Sequence, residues 1–161
     1  MDENTKVAVY IEIEKGSNLK YEYNKELNEL ELDRILPRPF FYPYAYGYIL
    51  DTKAMDGDEL DILIITDNYI PIDTYLTAYI VGVLIMEDEK GMDEKVLCVL
   101  EEDINKIKDV GDINNKTLES IHSFFSEYKS KTPGRWSKVS GFRDKAYATE
   151  LYKKSIIAAS V

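Results

Sequence analysis

Val7-Ala-Val-Tyr-Ile-Glu-Ile-Glu14 alternates without interruption, with Val7, Val9, Ile11 and Ile13 on one face and Ala8, Tyr10, Glu12 and Glu14 on the other. A side-chain period of two belongs to a half-buried β-strand, and it sets Glu12 off the main apolar face. The alternation returns downstream. Lys20 to Asn24 reads as a second strand, and Leu30, Leu32 and Ile35 continue it after an Asn- and Glu-rich bend near Asn28. Leu36-Pro-Arg-Pro39 is a turn or extended connector, because two prolines so close exclude helix and disfavour a central strand. Phe40, Tyr42, Tyr44, Tyr46 and Tyr48 then recur at every second position and predict an aromatic wall. Ala45 and Gly47 fall on its opposite face, where a second backbone can approach closely.

Further strands are predicted at Leu60 to Ile65, Thr77 to Met86 and Lys95 to Leu100, the last two joined by a polar hairpin loop from Glu87 to Glu94. After Asp103 the period changes. Leu118, Ile121, Phe125 and Tyr128 are spaced by three and four, which predicts a helix capped by Asn115 or Thr117. A second helix runs from about Asp144 to the end, and Arg135 to Val139 forms a short strand entered through the Pro133-Gly134 turn. Many strands followed by two helices predict an α+β fold: a small closed antiparallel β-barrel of five main strands, with two helices packed on one side. The length of 161 residues and the absence of repeats or linkers predict a single domain over residues 1–161.

Composition narrows the function. Hydrophobic residues make up 45% and charged residues 31%, enough for an ordinary core. Thirty acids against 20 Lys and Arg give a net charge of -10, which argues against nucleic acid as a partner held through duplex phosphates. Ala78 to Met86, the longest apolar stretch, falls short of the ~20 residues a membrane-spanning helix needs, so no membrane association is expected. Cys98 stands alone, with no signal peptide and no Cys/His set for zinc, and this fits a reducing, cytoplasmic setting. Charge is also uneven: residues 128 to 154 hold eight Lys or Arg against two acids, leaving the rest of the chain strongly acidic.

Asp56-Gly-Asp-Glu-Leu-Asp61 is the densest chemical feature, with four carboxylates in six positions running into an apolar strand. Two carboxylates about 4 Å apart repel by roughly 1 kcal/mol in water and about 4 at an effective dielectric of 20. Such crowding beside a core suggests a bound cation, and oxygen-only ligands suit a hard ion such as Mg²⁺ or Ca²⁺. An EF-hand is excluded because Leu60 and Asp61 occupy the positions where that loop needs oxygen and glycine. Asp56 and Asp58 share a parity that Asp61 does not, so convergence needs a bend, which Gly57 permits. The plainer alternative is a solvated acidic turn. Asp88, Glu89 and Asp93 form a second acidic group in the hairpin loop, while Glu12 and Glu22 lie on strands. Lys20, Arg34, Lys95, Lys129 and Arg135 are either surface residues or the cationic half of an anion site, where Tyr46 and Tyr128 hydroxyls would also donate. His122 is the only histidine, so no Ser/His/Asp triad is available beyond it, and no Gly-rich phosphate loop occurs.

The hexapeptide resembles the signature of the family I soluble inorganic pyrophosphatases, and the resemblance extends over about residues 7 to 155. Ile11-Glu-Ile13, Lys20-Tyr-Glu22, Leu32-Asp-Arg34, Phe41-Tyr-Pro43, Tyr46-Gly-Tyr48, Gly82-Val-Leu84, Ile107-Lys-Asp-Val110, Tyr128-Lys129 and Gly134-Arg-Trp136 fall in the family's order and spacing. The resemblance implies Mg²⁺-dependent hydrolysis of inorganic pyrophosphate to two phosphates by direct attack of a metal-activated water. It implies several Mg²⁺ ions per site, with Mn²⁺ or Zn²⁺ as substitutes. Asp56, Asp61 and Asp93 match ligands of the tightest ion, Asp88 and Asp93 those of a further ion, and Glu12 and Glu22 carboxylates at the edge of the site. Asp58 matches the general base. Lys20, Arg34, Tyr46, Tyr128 and Lys129 match pyrophosphate-binding groups; Lys95 and Arg135 match basic residues of the same cavity, Arg135 replacing a common Lys. The alternative is a catalytically silent barrel that only binds divalent cations or anions. The family also implies a homo-oligomer, trimer or hexamer. Ser123 and Glu127 stand where some members bury histidines between trimers, which weighs against the hexamer. By the same resemblance, part of the N-terminal segment seen in many bacterial members is missing.

Overall fold

The computed structural model describes residues 4–160. Nine strands and two helices follow in the order β1 (Lys6–Ile13), β2 (Leu19–Asn24), β3 (Glu29–Ile35), β4 (Ala45–Ile49), β5 (Asp61–Ile64), β6 (Thr74–Asp88), β7 (Gly91–Met92), β8 (Lys95–Val99), α1 (Asn115–Glu127), β9 (Ser137–Arg143) and α2 (Lys145–Ala159). Five of the strands close a ring: β1 pairs β4, β4 pairs β5, β5 pairs β8, β8 pairs β6 and β6 returns to β1. This is the expected small α+β barrel with two helices. Four of its seams are antiparallel. The fifth, β5–β8, is parallel and sets Asp61 beside Lys95 in register. The fifteen-residue β6 is long enough to serve β1 at its start, β8 in its middle and β9 and β7 at its end. Closure leaves no free edge in the ring, and β2 and β3 form a separate hairpin.

The alternation of β1 is present, yet Tyr10, Ile11, Glu12 and Ile13 are all buried, so this half of the strand is covered on both faces. Its second face packs under the rings of Tyr23, Tyr48 and Tyr75, which lie 4.8 to 5.5 Å from that of Tyr10. At Gly47 the reading of close approach holds: a Cβ there would lie 1.8 Å from the Tyr10 carbonyl oxygen. The aromatic wall needs correction. Only Ala45–Ile49 is strand, and Phe40 to Tyr44 is irregular chain in which Phe41 is exposed. Pro43 has no amide to give a ladder. The strand expected at Arg135 to Val139 instead covers Ser137–Arg143, with a bulge opposite Ile85 and Met86. The cap of α1 is Asn114, whose side chain accepts from the Lys116 amide at 2.8 Å, rather than Asn115 or Thr117. Asp144 caps α2 by accepting from the Tyr147 amide at 3.0 Å.

Two core clusters follow from strand alternation, except that a bulge between Ile11 and Ile13 carries Ile13 away from the face of Val7, Val9 and Ile11 on which the sequence set it. Val7, Val9, Ile11, Ile62, Ile64, Val83, Val96 and Cys98 form an aliphatic one against Ala148 of α2. Ile13, Leu63, Leu84, Leu97 and Val99 face the other way, among Tyr42, Tyr46, Phe124, Phe125 and Tyr128. Each fully buried aliphatic side chain contributes about 1.5–3 kcal/mol of transfer free energy. No helix among the described residues is long and apolar enough to cross a membrane.

Candidate active site

The parallel seam builds the centre of the site. Asp61 opens β5 and Lys95 opens β8, and Lys95 Nζ donates to Asp61 Oδ2 at 2.7 Å, to Asp93 Oδ2 at 2.9 Å and to the Tyr46 hydroxyl at 2.8 Å. Lys95 is 2% exposed, and its ammonium also lies 5.2 Å from the Tyr46 ring centroid and 5.7 Å from that of Phe125. Burial alone would favour the neutral amine, but Asp61, Tyr46 and Asp93 hold Lys95 charged, well above its ordinary value. Burial also pushes the Asp61 carboxyl up to about 7 despite Lys95 beside it, and Asp93 adds to the rise. Asp93 is half-buried, but Lys95 outweighs the desolvation this brings and keeps it below the ordinary carboxylate range. The pair acts as a unit in which one ammonium supports one full negative charge better than two.

Asp56 and Asp58 stand on the loop between β4 and β5. Gly57 supplies the predicted bend with φ +91°, and the Asp58 amide donates to Asp56 Oδ1 at 3.1 Å. Asp88 ends β6, where its Oδ2 accepts from Lys129 Nζ at 2.8 Å; Glu89 Oε2 accepts from the same ammonium at 3.3 Å. Lys129 follows Tyr128 at the C-terminus of α1, and both are buried. Lys20 and Arg34 are partners in the β2–β3 ladder, and Lys20 Nζ donates to Asp33 Oδ2 at 3.0 Å. Glu12 on β1 accepts from the Tyr23 amide at 2.8 Å, and its burial pushes the carboxyl up to about 8. Glu22 lies on β2 and Arg135 on the loop ahead of β9, both exposed.

All fourteen residues singled out in the sequence line one cavity of about 240 Å³: Glu12, Lys20, Glu22, Arg34, Tyr46, Asp56, Asp58, Asp61, Asp88, Asp93, Lys95, Tyr128, Lys129 and Arg135. Asp33, Tyr42, Glu89 and the ion pair Lys25–Glu59 also line it and were missed as site residues. Glu89 stands in the second acidic group and Asp33 inside the Leu32-Asp-Arg34 block, but neither carries a role in the site from the sequence. Arg34 Nε is the one buried side-chain nitrogen or oxygen among the described residues without a hydrogen-bond partner. Cys98 is a buried free thiol inside β8, and His122 is exposed on α1 with Nδ1 3.3 Å from the Ser126 hydroxyl. Neither touches the cavity.

The donor set fits a hard divalent cation. Asp56, Asp61 and Asp93 offer oxygen only, and the single ammonium of Lys95 leaves their charge in excess at a part-buried position. Among the described residues no three such side chains already close on one point.

A family model for inorganic pyrophosphatase matches residues 9–160. The chain belongs to the inorganic pyrophosphatase family. It is 41% identical over 155 residues to the inorganic pyrophosphatase of Campylobacter jejuni, covering 94% of this chain and 90% of that one. Against the Thermus thermophilus inorganic pyrophosphatase it is 42% identical over 154 residues, covering 93% and 88%. The solved structure of the Helicobacter pylori inorganic pyrophosphatase superposes with a TM-score of 0.94 at 38% identity and covers 99% of both chains. The membership bears out the family I resemblance read from the Asp56 to Asp61 hexapeptide and its ordered companions.

Proposed function

We propose that the chain, acting as one domain, hydrolyses inorganic pyrophosphate to two phosphates with Mg²⁺ as its cofactor, and that Mn²⁺ or Zn²⁺ can substitute. The observation that carries this reading is the joining of ten carboxylates with Lys20, Arg34, Lys95, Lys129 and Arg135 around one 240 Å³ cavity. Carboxylates alone would suit a cation and the basic side chains alone an anion. Together they suit an anion that arrives with cations. Family membership supports the reaction itself.

Asp56, Asp61 and Asp93 would hold the tightest ion and Asp88 and Asp93 a further one, with Glu12 and Glu22 acting at the edge through water. When bound, Mg²⁺ supplies Lewis acidity, which lowers the pKa of a water molecule and offsets phosphate charge. Asp58 is exposed on its loop and lines the cavity, where a base can reach a bound water. It orients the attacking water and takes its proton. Arg34, Lys20, Lys129 and Arg135 spread the charge of the transferring and leaving phosphates, and the buried, unpartnered Arg34 Nε is a donor ready for a phosphate oxygen. Tyr46 and Tyr128 stay protonated because burial raises both hydroxyls, so they donate hydrogen bonds to oxyanions. Lys95 keeps Asp61, Asp93 and Tyr46 in place. Positioning and electrostatics therefore supply the catalysis, with no covalent intermediate. A silent barrel would have no use for this complete set.

A cytoplasmic setting suits a chain whose one cysteine is a buried free thiol. A homo-oligomer, trimer or hexamer, belongs to the same reading, and sedimentation of a pure monomer at micromolar concentration would contradict it. The direct test is phosphate release from pyrophosphate at neutral pH. Rapid release with Mg²⁺ that stops on chelation is expected; no release from folded, Mg²⁺-loaded protein would overturn the proposal.

A further inference from the structure

β6 and β9 run antiparallel until Asp88 meets Ser137. Beyond that pair the backbone of β6 turns back through Lys90 into β7, so it can no longer serve β9. The next amide on the β9 side belongs to Trp136, and it donates to Glu89 Oε1 at 3.0 Å. The other oxygen, Oε2, accepts at 3.3 Å from Lys129 Nζ, the ammonium that also donates to Asp88. One carboxylate thus joins the hairpin tip, the end of α1 and the loop that brings Arg135 to the cavity. Its charge alone is a disadvantage there, since a carboxylate beside an anion site repels the anion.

We propose that Glu89 is a positioning residue, whose side chain clamps the Arg135–Trp136 loop and Lys129 to the hairpin tip so that both cations meet pyrophosphate already in place. The substrate part of this inference rests on the pyrophosphatase reading; the clamp does not. Cations fixed before binding need not be ordered by the substrate, so the clamp acts mainly on affinity. Neutral loss of a nearby negative charge would tighten pyrophosphate binding, whereas loss of a clamp weakens it, and the two accounts differ in sign.

Trp136 is the only tryptophan and is half-exposed, so its emission reports on the loop. At saturating Mg²⁺, Glu89→Ala is expected to raise KM for pyrophosphate about tenfold, the loss typical of a charge-assisted hydrogen bond, with kcat changed far less. Acrylamide quenching of Trp136 should increase in parallel. Glu89→Gln keeps an acceptor for the Trp136 amide but not the charge facing Lys129. It should restore wild-type quenching and give an intermediate KM. An unchanged or lowered KM in Glu89→Ala, or unchanged quenching, would overturn the clamp. If the wild-type protein released no phosphate, the pyrophosphatase reading would fall, while the quenching comparison would still decide the clamp.

Discussion

β5 and β8 serve two regions that obey different rules. Ile62, Ile64, Val96 and Cys98 enter an aliphatic cluster whose members carry no polar obligation. Leu63 and Leu97 face the opposite way, into the aromatic cluster, and alternation carries Asp61 and Lys95 to that same side at the strand starts. There the rings of Tyr46, Phe125 and Tyr128 surround an ammonium and hydroxyls, all of which need partners. The aliphatic side sets how firmly the barrel closes, and the aromatic side sets where the charges stand. One pair of four- and five-residue strands does both because successive side chains point to opposite faces.

The sharpest way to break both regions together is Gly47→Ala. Its Cβ would meet the Tyr10 carbonyl, which is backbone and cannot turn aside, so a loss of more than about 4 kcal/mol is expected in urea unfolding. A protein that still folded normally would place the β1–β4 seam wrongly. Lys95→Met separates the regions. It leaves the part-buried Asp61 and Asp93 without their ammonium, at an expected cost of about 3 kcal/mol in chelator, the low end for breaking a buried pair. Added Mg²⁺ should recover much of that loss if these carboxylates hold cations, and equal melts with Mg²⁺ and chelator would argue that they do not. Ile62→Val, on the aliphatic side, should cost only about 0.5–1.5 kcal/mol and leave kcat unaltered, as paired melting and turnover measurements would show.

The smallest effect concerns Cys98. Burial pushes the thiol well above its ordinary value of 9.0 in the folded chain, so the folded form keeps its proton after the unfolded form has lost it. The thiol's contribution is therefore complete below that ordinary value and declines as pH rises beyond it. Stability measured on the alkaline side should fall less steeply in Cys98→Ala than in the wild type. Native protein should also resist thiol reagents until unfolded, and fast labelling would contradict the buried position.

Most of the barrel was legible because strand patterns are local: β1, β2 and β3 lie where alternation put them, and β5, β6 and β8 lie on the apolar runs read as strands. Reading failed where local pattern and partner disagree. The bulge near Ser140 and Gly141 breaks the alternation of β9, and a run of aromatics from Phe40 to Tyr44 keeps its period without a strand beside it to complete a ladder. Asn114 and Asn115 are equally good caps by type, so only geometry separates them. The parallel seam had no sequence signal, since pairing direction depends on how the chain returns. The site residues that motifs carried all reached one cavity, but the partners that tie them down, Asp33 for Lys20 and Glu89 for Lys129 and Trp136, are set by contacts between distant segments.

On the pyrophosphatase reading, chemistry resides in the charged cavity and can be removed without disturbing the barrel. Asp58→Asn tests it most directly, because Asp58 is exposed on its loop and supports no core contact. Pyrophosphate turnover should fall about 10²–10⁴-fold, the range for loss of a general base, while the urea midpoint stays that of the wild type. Unchanged turnover in a fully folded, Mg²⁺-loaded variant would contradict the account.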